Sequence, residues 1–265
     1  MRLNIVPASQ GIQWMKQGIA TFRKKPLAML GLFFIFLTVV NLLSLIPWLG
    51  IALALAMLPA ATLGFMTAAR EVAQGNYPMP TVLLTAFRAG QQRVHAIAVL
   101  GMLYAVLFGL SMAVTQWVDG GQFVRIYLLG ESITPEALRE LMSKGDFQMA
   151  AMLAGTLNVV IAMLFWHAPA LVHWHGVSPV KSLFFSIVAC VRNFPAFFVY
   201  LMAWIGLTML VALGASLLFT AAAGPVIGSV LMQLTLMVIT AMFFTSQYFS
   251  YLDCFVEARE SGIEV

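Results

Sequence analysis

Six stretches of this chain are long enough to cross a bilayer and contain no Asp, Glu, Lys or Arg: residues 26–46, 49–69, 96–117, 149–172, 195–221 and 225–251. A helix rises 1.5 Å per residue, so about 20 apolar residues cross the roughly 30 Å of hydrocarbon. Lipid offers no partner to an unpaired backbone group, and runs of this length satisfy their own as helices. The fold class that follows is all-α: a polytopic membrane bundle of six transmembrane helices, expected as one integral domain over residues 1–265. A composition of 62% hydrophobic and 9% charged residues lies far from that of soluble domains. Spans and short connections take up nearly all of it, and no separate catalytic domain is expected.

The formal charge of +4 reads as topological, not as a nucleic-acid footprint, because the cations stand beside span ends. Arg2, Lys16, Arg23, Lys24 and Lys25 precede the first span. Arg70, Arg88 and Arg93 lie between the second and third, and Lys181 and Arg192 between the fourth and fifth. The positive-inside rule puts these segments, and both termini, in the cytoplasm. The N-terminal stretch is polar and amphipathic and the first apolar run too long for a cleavable signal, so that span is expected to stay as an anchor. On the opposite side fall tight turns at Pro47-Trp48 and at Ala222-Ala223-Gly224. The loop 118–148 falls there too, with Asp119, Glu131, Glu136, Glu140 and Asp146 against Arg125, Arg139 and Lys144. In that loop Thr134 reads as an N-cap, Pro135 as the first helical residue and Gly145 as the stop. Leu138, Leu141 and Met142 share a face of this helix, which reads as a lid or as a docking surface for an envelope partner. Residues 252–265 form a short acidic cytoplasmic tail. Cys190 and Cys254 fall on the reducing side and are expected as free thiols.

Three cytoplasmic segments look alike. Residues 11–25 (GIQWMKQGIATFRKK), 81–93 (TVLLTAFRAGQQR) and 180–193 (VKSLFFSIVACVRN) alternate apolar and polar residues at helical spacing, carry Arg or Lys at the end, and lead into a span. Each is expected to lie in the interface with its cations at head-group level. The pattern suggests three copies of one unit, an interfacial helix followed by a two-span hairpin. The boundaries that go with it are 1–25, 26–69, 70–95, 96–117, 118–148, 149–172, 173–194, 195–251 and 252–265.

Within the spans, the polar candidates are Asn41, Gln116, Asn158 and Gln233. They read either as inter-helix hydrogen-bonding groups or, for Asn41, Asn158 and Gln233, as the lining of a shared pocket. Pro59 and Pro169 each remove a backbone bond and bend their helix. His167, His173 and His175 are the one chemically suggestive group, since imidazole is the commonest metal ligand. Positions 173 and 175 are about 200° apart on a helix, and no acid or thiol stands near in sequence, so they are weak metal candidates and no metal or cofactor is expected. No nucleophile elbow, phosphate loop, HExxH or dinucleotide fingerprint occurs in the chain, and no enzyme activity is expected.

The opening MRLNIVPASQGIQWMKQGIATFRKKPLAMLGLFF, the segment IPWLGIALALAMLPAATLGFMTAAREVAQGNYPMP and the segment APALVHWHGVSPVKSLFFSIVACVRN resemble an uncharacterised family of proteobacterial inner-membrane proteins. More loosely, the pattern is similar to the membrane domain that some glycerophosphodiester phosphodiesterases carry. The resemblance implies a bacterial inner (plasma) membrane location and brings no catalytic residue; the acidic metal-binding residues of the phosphodiesterase domain have no counterpart here. The function expected is binding or movement of lipid or another apolar ligand, with Arg23, Lys24, Lys25, Arg88, Arg93, Lys181 and Arg192 holding head groups. Two further readings stand beside it: a structural or regulatory subunit of an envelope complex, and a small-solute transporter. The partners expected are membrane lipids and a membrane-protein partner or a second copy, with no nucleic acid.

Overall fold

The structure, a computed structural model, describes residues 2–47 and 49–256, apart from the side chains of residues 220–223 and 225. Trp48 of the first turn and the tail 257–265 therefore lie outside the described residues. In chain order the elements are strand β1 (Arg2–Leu3) and helices α1 (Gln10–Lys24), α2 (Pro26–Ser44) and α3 (Gly50–Ala73). A 3-10 turn (Pro80–Leu84), α4 (Thr85–Arg88), α5 (Gln91–Asp119), α6 (Gln122–Tyr127) and α7 (Pro135–Ser143) follow. Then come α8 (Gly145–Phe165), α9 (Ala168–His175), α10 (Pro179–Arg192) and a helical stretch, Phe194–Cys254, interrupted at Gly224. That stretch is two spans, α11 (Phe194–Phe219) and α12 (Val226–Cys254), and strand β2 (Phe255–Val256) follows it. Gly224 reverses the chain at φ +74°, a conformation that L side chains rarely adopt.

Among the described residues, six helical segments are long and apolar enough to cross a membrane, and they coincide with the six charge-free runs to within a few residues. Exposed Leu, Met, Val and Phe cover the outward faces of the spans, as lipid requires. Small residues let the helices approach: a Cβ at Gly101 of α5 would collide with the Ala56 carbonyl of α3.

The fourth span is broken, as Pro169 predicts, and the break is held by a neighbour. The His167 amide leaves the helical ladder and donates to Ser186 Oγ of α10 at 3.0 Å, while that hydroxyl donates to the Met163 carbonyl at 2.7 Å. Ser186 thus bridges the bond that α8 lost, and α9 starts in a new direction with Pro169 in its first turn.

The first helix differs from the interfacial expectation. Gly11, Trp14, Gly18, Thr21 and Phe22 form one buried stripe, and it packs on protein, not on lipid. A Cβ at Gly11 would collide with the Ala196 carbonyl of α11, and one at Gly18 with Ser246 of α12. Trp14 is fully buried, and Gln13, Lys16 and Gln17 face outward. The second segment is not a helix of thirteen residues either: Pro80 opens a 3-10 turn, and Gly90 (φ +89°) ends the helical turn α4, so Arg93 already belongs to α5. The third segment is helical as expected. α10 buries Ser182, Ser186, Ala189 and Cys190 and exposes Val180, Phe184 and Val191, an inverted face suited to contact with acyl chains. The three segments therefore precede span pairs but pack in three different ways.

Both termini meet at one end of the bundle. β1 pairs antiparallel with β2; Asn193, fully buried between α10 and α11, accepts from the Val6 amide at 2.8 Å and donates to the Asn4 carbonyl at 3.1 Å. Asp253 Oδ2 accepts from Gln10 Nε2 at 2.6 Å and from Trp14 Nε1 at 2.7 Å. At the far end, Thr134 Oγ1 caps α7 by accepting from the Ala137 amide at 3.3 Å. Gly145, predicted to stop α7, instead opens α8. Asp119, counted among the loop acids, is buried and accepts from the Gly121 and Phe123 amides at 2.9 and 2.6 Å.

Candidate functional site

At the end that carries the termini, α3 runs one turn past the predicted span, to Ala73. Gly75 (φ +90°) turns the chain there, and the Gly75 and Asn76 amides donate to the Val72 and Glu71 carbonyls at 3.1 and 2.9 Å. Residues 76–84 then fold back along α3 until Leu83 lies against Gly64, about 10 Å below Glu71 at 1.5 Å per residue. The tip of α3 and this returning segment enclose an open cavity of about 490 Å³, lined by Glu71, Asn76, Tyr77, Thr81, Thr85, Arg88 and His173 of α9.

An apolar groove of about 290 Å³ adjoins it. Thr81 lines both, and Ile35, Phe36 and Val39 of α2 with Met57, Ala60 and Ala61 of α3 form the groove walls, closed above by Leu83, Leu84 and Phe87. Met57 stands about 21 Å from Glu71 along α3, so the groove reaches past half of the roughly 30 Å of hydrocarbon.

Charge in the cavity is mixed. Glu71 and Arg88 both line it, yet among the described residues neither makes an ion pair; the two pairs found, Arg125–Glu131 and Lys144–Glu140, lie at the far end. His173 Nδ1 is buried without a hydrogen-bond partner among the described residues, and Arg93 and Arg70 lie near enough to act on it electrostatically. Lys25 Nζ stands 5.6 Å over the Tyr77 ring, at the rim. A second cavity, about 460 Å³, is lined by Arg70, Gln74, Trp174, His175, Tyr248, Tyr251 and β2. There the Arg70 guanidinium lies 5.6 Å over the Trp174 ring.

Of the cations named from sequence, Arg88 lines the first cavity, Lys25 stands over its Tyr77, and Arg93 acts electrostatically on its His173. Arg23 and Lys24 end α1, Lys181 and Arg192 lie on α10, all four are exposed, and none lines either cavity. Asn41 and Gln233 share an open groove of about 490 Å³ between α2 and α12 with Thr38 and Ser44. Asn158 does not line it; like Asn41, which donates to the Leu37 carbonyl at 2.7 Å, it donates to a carbonyl of its own helix, that of Ala154 at 2.8 Å. Gln116 lies against Gly121. The three histidines diverge: His173 faces the first cavity and His175 the second. His167 is sealed in the core among Phe197, Tyr251 and Phe255, its Nε2 3.4 Å from Ser250 Oγ. Among the described residues no three His, Cys, Asp or Glu side chains gather as metal ligands would. Cys190 and Cys254 are free and buried.

Glu71, Asn76, Tyr77, Thr81 and Thr85 were not singled out from sequence. Their signal was the run Gly75-Asn76-Tyr77-Pro78-Met79-Pro80, whose glycine and two prolines mark a reversal.

The fold and the arrangement of its apolar faces define a multipass, all-helical membrane protein. The chain is 40% identical over 258 residues to a probable inner membrane protein of Burkholderia thailandensis, covering 96% of this chain and 94% of the relative. It belongs to the family of that inner-membrane protein. No family model matches the chain, and no solved structure matches it.

Proposed function

We propose that this protein binds a membrane lipid without chemically altering it, the head group in the cavity between Glu71 and Arg88 and an acyl chain in the groove along α2 and α3. One observation carries the reading: a polar cavity and an apolar groove meet at Thr81, the division that an amphiphile has in itself. The positive-inside bias supports a cytoplasmic orientation of this end, with both termini, and in that orientation the lipid comes from the cytoplasmic leaflet.

The test is native mass spectrometry of protein gently extracted from its own membrane. A retained lipid of defined stoichiometry, lost when Ala60→Trp fills the groove and weakened by Arg88→Gln, supports the reading. Retention unchanged in both variants overturns it.

A second reading, a partner polypeptide in an envelope complex, has its own observation. Asn41 and Gln233 are exposed on the outer face of α2 and α12, where carboxamides gain from a neighbouring helix more than from lipid. Photo-crosslinking from Leu234 to a second polypeptide supports that reading; crosslinks to lipid alone count against it.

A further inference from the structure

The lining of the cavity at the α3 tip holds one carboxylate, Glu71, and one guanidinium, Arg88, that form no ion pair with each other, with Lys25 over Tyr77 at the rim and Arg93 and Arg70 acting on His173. Glu71 is fixed by the last turn of α3 and Arg88 by α4, two elements joined by the returning segment 76–84. An unpaired carboxylate and guanidinium in a shared, partly enclosed space are each better satisfied by a ligand of opposite charge than by water alone. The other polar groups lining it, Asn76, Tyr77, Thr81, Thr85 and His173, are neutral or weakly basic hydrogen-bonding groups.

From this we infer that the head group is zwitterionic, a phosphate joined to a primary ammonium, as in an aminophospholipid. The inference rests on the lipid-binding reading and sharpens it. Arg88 takes the phosphate, for which a planar guanidinium offers paired donors. Glu71 takes the ammonium, whose N–H groups donate to a carboxylate. An anionic glycerol head group satisfies Arg88 and leaves Glu71 facing hydroxyls. A quaternary ammonium brings charge without an N–H donor. Both are therefore held less well, so selection comes from the acid as much as from the base.

The experiment uses the purified, delipidated full chain and native mass spectrometry with equimolar phosphatidylethanolamine, phosphatidylglycerol and phosphatidylcholine of matched acyl chains. The expected preference for phosphatidylethanolamine over each rival is about tenfold, the size of one charge-assisted hydrogen bond. Glu71→Gln is expected to bring the ethanolamine and glycerol lipids to within about twofold of each other, a loss of that single discrimination. Arg88→Gln is expected to weaken all three lipids together. Thermal melting of each variant checks that the fold is kept, and the double variant Glu71→Gln/Arg88→Gln must show no head-group preference.

Equal binding of the three lipids by the unaltered protein, preference for the anionic one, or an unchanged preference in Glu71→Gln overturns the inference while lipid binding itself stands. No binding of any lipid overturns the lipid reading beneath it. Soluble phosphoethanolamine competing as well as the whole lipid overturns the assignment to a membrane source.

Discussion

The Asp253 carboxylate is the one acceptor for two donors, Gln10 Nε2 and the indole of fully buried Trp14. Asp253→Ala leaves that indole N–H buried and unpaired, at a cost of about 1–3 kcal/mol, to be read as a lower melting temperature in detergent. Asp253→Asn keeps an acceptor oxygen and is expected to lose less. Gly18 meets Ser246 so closely that Gly18→Leu must push α1 away, costing about 1–3 kcal/mol by overpacking. Gly31→Ala meets nothing within 4 Å and is expected to stay within about 0.5 kcal/mol of the parent. Burial pushes the Cys190 thiol up from its ordinary range, so its thiolate is scarcer at any pH and maleimide labelling at neutral pH is expected only after denaturation. At this scale the sequence was least legible. Arg70 reads only as a cation between two spans and Glu71 gives no signal of its own, and their lining of two different cavities is decided by where residues 76–88 and α9 come to rest.

Among the elements, the spans were legible because lipid imposes a rule on length and polarity that no soluble core imposes. The break in the fourth span was legible from Pro169, though Ser186, the residue that bridges it, was not. Ser186→Ala removes the acceptor of the His167 amide and leaves the Met163 carbonyl the weaker Cys190 thiol donor at 3.7 Å. The expected outcome is a loss of about 1–3 kcal/mol for the unsatisfied amide, with faster amide exchange at His167. The amphipathic pattern of α1 was read correctly as a pattern and wrongly as to its partner: Gly11 and Gly18 allow close approach on either side of the Trp14 ring, a face shaped for a helix surface. α10 shows the reverse, with serines inward and phenylalanines outward, and periodicity alone does not tell inward from outward in a membrane.

For the whole molecule, the pairing of β1 with β2 puts residues 2 and 256 at the same end, as an even number of spans requires. Which compartment that end faces rests on the distribution of Lys and Arg. In a cysteine-free background, a cysteine at Ser132 is expected to react in intact cells with a thiol reagent that does not cross the inner membrane. One at Asn76 is expected to react only after lysis; the opposite pattern inverts the topology. In that orientation the cavity, the groove mouth and the joined termini all open to the cytoplasmic leaflet.

α1 is made first, and the surfaces that cover Trp14 belong to α11 and α12, the last spans to be made. During synthesis this helix must therefore wait, with its indole exposed, while four other spans enter the bilayer. Its docking surface is complete only once α12 is in place. A chain stalled before α12 carries an undocked amphipathic segment at its start, a natural target for a chaperone or a membrane protease.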